Sequence, residues 1–290
     1  MVKKNLLITG SEGQLGQSIK KLSINFSDYN FIFKNKYQLD ISNFSLLKNE
    51  IKENKIDTII NCAAFTNVDQ AEKNKKIANL INNLSVENLA NICRTENLQL
   101  IHISTDYVFD GKKKYPYVED DITNPVNFYG FSKLEGEKRI LENKLKNSAI
   151  IRTSWLYSDQ KNNFVRKILN KIYNNQELAV VCDEVGSPTN SYDLGLFILN
   201  IIPLINSNQT EIYHFSNRGY CSRYELAKEI LKISGKSMNI LPIYSSSLKI
   251  NRPEFSAFDL SKIKKEFAYE PTDWRNSLKV YLNKSSFYEI

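Results

Sequence analysis

Leu6-Leu7-Ile8-Thr9-Gly10-Ser11-Glu12-Gly13-Gln14-Leu15-Gly16 decides how this chain folds. A short apolar run leads into three spaced glycines, and residues 17–22 read as the start of a helix. Strand, glycine turn and helix together form the first part of a dinucleotide-binding βαβ unit. Gly10 allows the tight turn, Gly13 lets the backbone approach a phosphate, and Gly16 permits close packing of helix on strand. The helix N-terminus offers N–H donors and a partial positive charge to a pyrophosphate. The spacing is G-x-x-G-x-x-G, a weak signal alone; its place after the first strand of the chain gives it weight.

Working outward, strands and helices alternate. Phe31-Ile32-Phe33 reads as a strand, 43–54 as a helix, 58–61 as a strand, 72–93 as largely helical, 99–104 as a strand, 127–144 as a helix and 149–152 as a strand. Continuous apolar strands between helices predict an α/β, Rossmann-type, doubly wound parallel sheet covered on both faces. Ligands in such folds bind beyond the carboxyl ends of the strands. Thr9-Gly10, Cys62-Ala63-Ala64, Ser104-Thr105 and Thr153-Ser154-Trp155 stand at those ends. After about Trp155 the alternation loosens. Helices are expected over 164–173, 192–202, 222–234 and 273–282, with short strands at 178–182 and 212–215. These predict a smaller mixed α/β C-terminal substrate domain. The expected division is 1–157 for the dinucleotide-binding domain, with a later contribution from about 188–206, and 158–290 mainly for substrate.

The chain has 290 residues, 42% of them apolar and 24% charged, with a net charge of +7. That is enough for one large or two smaller domains with a real core. The lysines are spread along the chain, and the longest run, Lys112-Lys113-Lys114, follows Asp110-Gly111 in an expected loop. This reads as solvated surface, with no nucleic-acid-binding motif beside it. No apolar run approaches the ~20 residues of a membrane span. Cys62, Cys93, Cys182 and Cys221 are far apart, and His102 and His214 lie in apolar runs, so no metal site is expected. Scattered thiols and the absence of a signal-peptide pattern fit a cytoplasmic protein.

Tyr-x-x-x-Lys occurs three times, as Tyr129/Lys133, Tyr157/Lys161 and Tyr224/Lys228. Only the first follows a strand that ends in two hydroxyl residues. On a helix, positions four apart share one face, ~6 Å apart along the axis. A free phenol titrates near ~10, and a nearby ammonium should lower that value. Tyr129 then becomes a usable general acid or base. Lys133 can also hydrogen-bond a cofactor ribose. Thr105, or Ser104 beside it, can hydrogen-bond a substrate oxygen and steady its developing charge.

These residues resemble the extended short-chain dehydrogenase/reductases and, within them, the dTDP-4-dehydrorhamnose reductase family. The similarity covers nearly the whole chain. It rests on Gly10–Gly16, Asn61–Asp69 with Ala71-Glu72, Ser104–Phe109, Tyr129–Lys133, Arg152–Trp155, Asn163-Phe164, Gly186–Thr189 and Arg252-Pro253 with Ser256. The resemblance implies NAD(P)H reduction of a 4-keto group on a nucleotide-linked 6-deoxysugar. Thr105, Tyr129 and Lys133 would be catalytic. Gly10, Gly13, Gln14, Leu15 and Gly16 would hold the pyrophosphate, Asp40 and Ile41 would lie by the adenine, and Ala63 and Ala64 along the cofactor. Thr66, Val68, Tyr107 and Trp155 would line the sugar pocket, with Ser104 beside them. Arg252 either faces the nucleotide diphosphate, which a guanidinium suits, or is structural.

The second strand is followed by Lys34-Asn35-Lys36 rather than by an acid. Cations suit a ribose 2′-phosphate, so NADPH is expected over NADH. Some family members need a divalent metal at a subunit contact. No acidic cluster here demands one, and Ser18 stands where an acid would serve. Metal dependence stays open, as does the choice between monomer and homodimer. Cys62 interrupts the usual run of three alanines. Sugar-nucleotide dehydratases of this fold carry a Glu after Thr-Asp, whereas Tyr107 follows Thr105-Asp106. Two alternatives stand: a reductase of another nucleotide-linked 4-keto-6-deoxysugar, and a non-catalytic dinucleotide-binding subunit resembling the regulatory subunit of methionine adenosyltransferase.

Overall fold

The computed structural model describes residues 3–160, 163–247 and 250–284. Strand β1 (Lys4–Thr9) runs into α1 (Gln14–Leu22), followed by β2 (Tyr29–Lys34), α2 (Phe44–Glu53) and β3 (Thr58–Asn61). Helices α3 (Val68–Lys73) and α4 (Lys75–Asn79), a π turn (Leu80–Leu84) and α5 (Ser85–Glu96) lead to β4 (Gln99–Thr105). Helix α6 (Phe128–Glu142) then leads to β5 (Ala149–Thr153). Beyond it come β6 (Leu156–Tyr157), α7 (Phe164–Tyr173), β7 (Leu178–Val181), β8 (Val185–Gly186), β9 (Thr189–Asn190) and α8 (Ser191–Ile201). The chain continues through β10 (Glu211–Phe215), β11 (Cys221–Ser222), α9 (Arg223–Ile233), β12 (Ile240–Ile243), α10 (Ser261–Phe267) and α11 (Trp274–Lys284).

Six strands form one parallel sheet in the order β10-β5-β4-β3-β1-β2. Alternate residues of each strand face opposite sides, and the two cores follow that rule. Leu6 and Ile8 pack with Leu15 and Ile19 of α1 and Leu194, Phe197 and Ile198 of α8. Leu7, Ile59, Leu100 and Ile150 pack with Leu47 of α2, Val86 and Leu89 of α5 and Ile140 of α6. A third core, around Tyr157, Val165, Leu226, Trp274 and Leu278, holds the C-terminal elements together.

The strand read at 212–215 joins the large sheet rather than the smaller region, as β10 at its edge. His214 lies in register with Arg152 of β5, and Phe215 stacks on Phe197 with ring centroids 4.6 Å apart. Short β6, β8, β9 and β11 were invisible in the sequence, because two residues carry no period. Asparagine caps explain several helix starts: the side chains of Asn43, Asn127 and Asn163 each accept a backbone N–H in the first turn of α2, α6 and α7.

The four strand ends noted in the sequence belong to β1, β3, β4 and β5, which are consecutive neighbours in the sheet. The chain turns one way from β1 to β2 and crosses to the other side for β3. The crevice sits where such a reversal occurs.

Candidate active site

Gly10 adopts φ +62°, and a Cβ there would come within 2.7 Å of Ala63 N. The turn after β1 therefore presses against the backbone after β3, as only glycine permits. A Cβ on Gly16 would meet Ser11 Cα at 2.6 Å. Gly13 caps α1 without any side-chain acceptor, so the first turn presents its N–H groups outward as an anion site would require. These features fit a bound pyrophosphate. The Gln14 side chain is used elsewhere: it donates to Leu156 O and accepts from Ser158. Leu15 is buried in the core. Only their backbones remain for a cofactor.

At the far end of β2, Lys34 pairs with Glu50 at 2.9 Å. Asp40 is exposed and accepts from Ser42, while Ile41 is core. Ala63 and Ala64 are partly buried, Thr66 is exposed, and Val68 opens α3. This segment is pinned to α6 through Asn82 in the π turn. Asn82 accepts from Phe65 N and donates to Phe65 O and Ser132 Oγ.

Thr105 ends β4. Its hydroxyl donates to Asp106 Oδ1 at 3.0 Å and accepts from Tyr107 N. The Tyr129 phenol lies near enough to the Thr105 side chain to be influenced by it, and the Tyr107 and Tyr129 rings meet edge to face at 5.6 Å. A Cβ on Gly130 would fall 2.1 Å from Tyr107 O, so the glycine lets α6 touch the strand end. Lys133 is 1% exposed. Its Nζ donates to Ile103 O at 2.6 Å and lies 3.1 Å from His102 Nε2.

The electrostatics differ from expectation in one respect. Burial raises the Tyr129 phenol, partly offset by Thr105, and Lys133 does not lower it because its nitrogen is turned toward Ile103 and His102. Burial also pulls Lys133 down to about 8, against the opposing pull of Glu137 and Cys62. A phenol held protonated is a proton donor, which suits reduction.

Above the strand ends, Trp155 takes φ +45° and Gly186 packs on its ring, where a Cβ would come within 2.5 Å of Cε2. Arg252 donates to Asp69 at 3.2 Å, and its buried Nε has no partner among the described residues. The hydroxyls of Ser104, Thr153 and Ser187 are likewise buried without a partner. Sequence reasoning missed four groups here. Arg223 reaches from α9 over the Trp155 ring. Glu184 lies beside it at 3.9 Å. Asp106 is buried and accepts from Ser256 at 2.6 Å. His102 meets Lys133. The capping box Ser222-x-x-Glu225 marked the start of α9 and could have flagged Arg223 as its first residue.

The other two Tyr-x-x-x-Lys pairs are elsewhere. Tyr157 is core and Lys161 lies outside the described residues. Lys228 lies over the Tyr224 ring on α9.

A family model described as the RmlD substrate binding domain matches residues 4–287. The chain belongs to the RmlD family. It is 38% identical over 285 residues to a dTDP-4-dehydrorhamnose reductase of Aggregatibacter actinomycetemcomitans, covering 94% of this chain and 97% of that one. It is 37% identical to the spore coat polysaccharide biosynthesis protein SpsK of Bacillus subtilis, covering 97% and 98%. Among solved structures, it resembles a dTDP-4-dehydrorhamnose reductase of Bacillus anthracis in complex with NADP, at a TM-score of 0.91 and 35% identity over 98% of this chain and 99% of that one. No helix among the described residues is long and apolar enough to cross a membrane.

Proposed function

We propose that this RmlD-family chain reduces the 4-keto group of dTDP-4-dehydro-L-rhamnose to dTDP-L-rhamnose, using NADPH. The observation that carries the reading is Tyr129 packed edge to face on Tyr107 beside Thr105 at the end of β4, with Lys133 buried one turn further along α6. When bound, NADPH supplies the hydride. The chain's own residues supply the rest. Tyr129 gives its proton to the carbonyl oxygen as charge develops there. Thr105 swings its one hydroxyl proton from Asp106 Oδ1 to the same oxygen. Lys133 holds the cofactor ribose. Tyr107 and Trp155 bound the sugar, and Arg252 and Arg223 face the diphosphate. Gly10, Gly13 and Gly16 shape the turn that holds the pyrophosphate.

The relative of known structure in complex with NADP supports the phosphorylated cofactor, as does a second strand followed by Lys34 and Lys36. The test is NADPH oxidation at 340 nm with dTDP-4-dehydro-L-rhamnose and chromatographic identification of the product. Turnover of a different nucleotide-linked 4-keto-6-deoxysugar alone would move the assignment to that substrate. Tight NADPH binding with no turnover on any keto-sugar would favour a regulatory subunit.

A further inference from the structure

Behind the active site, a buried row of polar groups runs across the sheet to Lys133. Thr9 Oγ1 donates to Asn61 Oδ1 at 2.6 Å, and Ala63 N–H donates to the same oxygen at 3.2 Å. A backbone N–H only donates, so the oxygen of the Asn61 amide must stand there. Its Nδ2 therefore points at His102 Nδ1, 3.0 Å away. Nδ1 must accept, and a neutral imidazole then carries its proton on Nε2. That Nε2 is the atom 3.1 Å from Lys133 Nζ. Thr9, Asn61 and His102 are all buried, so water does not relieve the arrangement.

We infer that His102 is a positioning residue for Lys133: Thr9, Asn61 and the Ala63 N–H lock it in the tautomer whose Nε2–H faces the lysine nitrogen, and it thereby disfavours the ammonium form. An ammonium has donors only, whereas an amine has a lone pair to accept Nε2–H. The other groups around the nitrogen do not reverse this. Cys62, beyond β3, is pushed up to about 12 by burial and is a neutral thiol. Glu137, one turn along α6, is engaged by Arg152 of β5 at 2.7 Å. Tyr129, one turn back, is a neutral phenol. His102 is itself held well below the ordinary histidine range by burial and by Lys133. The lock starts at Ala63, in the loop proposed to run along the cofactor, so the lysine's charge is tied to that loop's position. For its kinetic consequence the inference rests on the proposed role of Lys133; for the tautomer it does not.

The chain has two histidines, and the structure gives them opposite tautomers. His214 Nδ1 lies 3.0 Å from Tyr117 O, a carbonyl that only accepts, so His214 carries Nδ1–H. Imidazole nitrogen NMR on 15N-labelled wild-type protein should show one Nε2–H and one Nδ1–H ring, unchanged from pH 6 to 9. Two Nδ1–H rings would overturn the inference. The second arm is His102→Gln, whose amide can turn its oxygen to the lysine. The alkaline limb of kcat/KM, and the pH at which NADPH affinity falls, should both move up by ~1 unit, a tenfold change in lysine basicity. Unmoved limbs would overturn the effect on charge. The NADPH arm reads Lys133 even if the sugar assignment fails.

Discussion

The guanidinium carbon of Arg223 lies 3.5 Å from the centre of the Trp155 ring. Gly186 also packs against that ring, and Trp155 holds a left-handed conformation that a bulky residue rarely adopts. Stacking on Arg223 is what the tryptophan gains there, and the stacked cation is left facing Tyr107 and Arg252. A desolvated cation–π contact is worth about 2 kcal/mol, which here contributes to the stability of the fold and to the fixed position of Trp155. Arg223→Ala should lower the Tm and, by removing the cation proposed to face the diphosphate, raise the KM for the nucleotide sugar about tenfold, with NADPH affinity nearly unchanged. Arg223→Lys should recover little, because the ammonium cannot stack as a plane. Steady-state kinetics with each substrate varied in turn checks both.

Gly130 is where α6 leans on the strand end, with its hypothetical Cβ 2.1 Å from Tyr107 O. Backbone cannot yield as a side-chain tip can. Gly130→Ala is expected to cost about 1–3 kcal/mol of stability, read as a fall in Tm. The displaced Tyr107 and Tyr129 should also lower turnover in the fraction that folds.

Asp106 gives a pH-dependent prediction. Burial pushes its carboxyl to about 6, against hydrogen bonds from Ser256 and Thr105 and the charge of Arg223. The folded state then binds more protons than the unfolded state between about pH 4 and 6. Stability contributed by the protonated form is present at the low end and lost as pH rises through 6. Asp106→Asn should remove that slope, gaining about 2 kcal/mol relative to wild type between pH 4 and 7. Urea unfolding midpoints across this range measure the difference.

Cofactor choice turns on Lys34, which the sequence offered as a free cation and the structure pairs with Glu50 at 2.9 Å. Lys34→Ala should raise the KM for NADPH severalfold and leave NADH nearly unchanged. Glu50→Gln, which releases the ammonium, should lower the KM for NADPH. Comparable KM values for both cofactors in wild type would remove the basis of the assignment.

Much of this was legible in the chain. The run from Leu6 to Gly16 set the first βα unit, because apolar strand, glycine spacing and helix start lie within a few residues of one another. The helix of Tyr129 and Lys133, read at 127–144, spans Phe128–Glu142 with Asn127 as its cap. What stayed hidden depends on contacts distant in sequence. Nothing local assigns Glu211–Phe215 to the edge beside β5, since an edge strand and a strand of a small sheet read alike. Arg223 and Trp155 are far apart in the chain and meet only when α9 docks. His102 was correctly read as buried, but its contact with Lys133 needs the register of β4 against α6. The phenol shift went the other way because burial raises it, while the Lys133 nitrogen is taken up by Ile103 O and His102, contacts no spacing reveals.

The most direct test of the central claim is turnover by Tyr129→Phe beside wild type, at saturating NADPH and dTDP-4-dehydro-L-rhamnose, with cofactor affinity measured on both. The account predicts a loss of ~10²–10⁴-fold in kcat with NADPH affinity within about twofold of wild type. A variant that turns over at the wild-type rate would show that the proton comes from elsewhere, and the assignment of Tyr129 would fall.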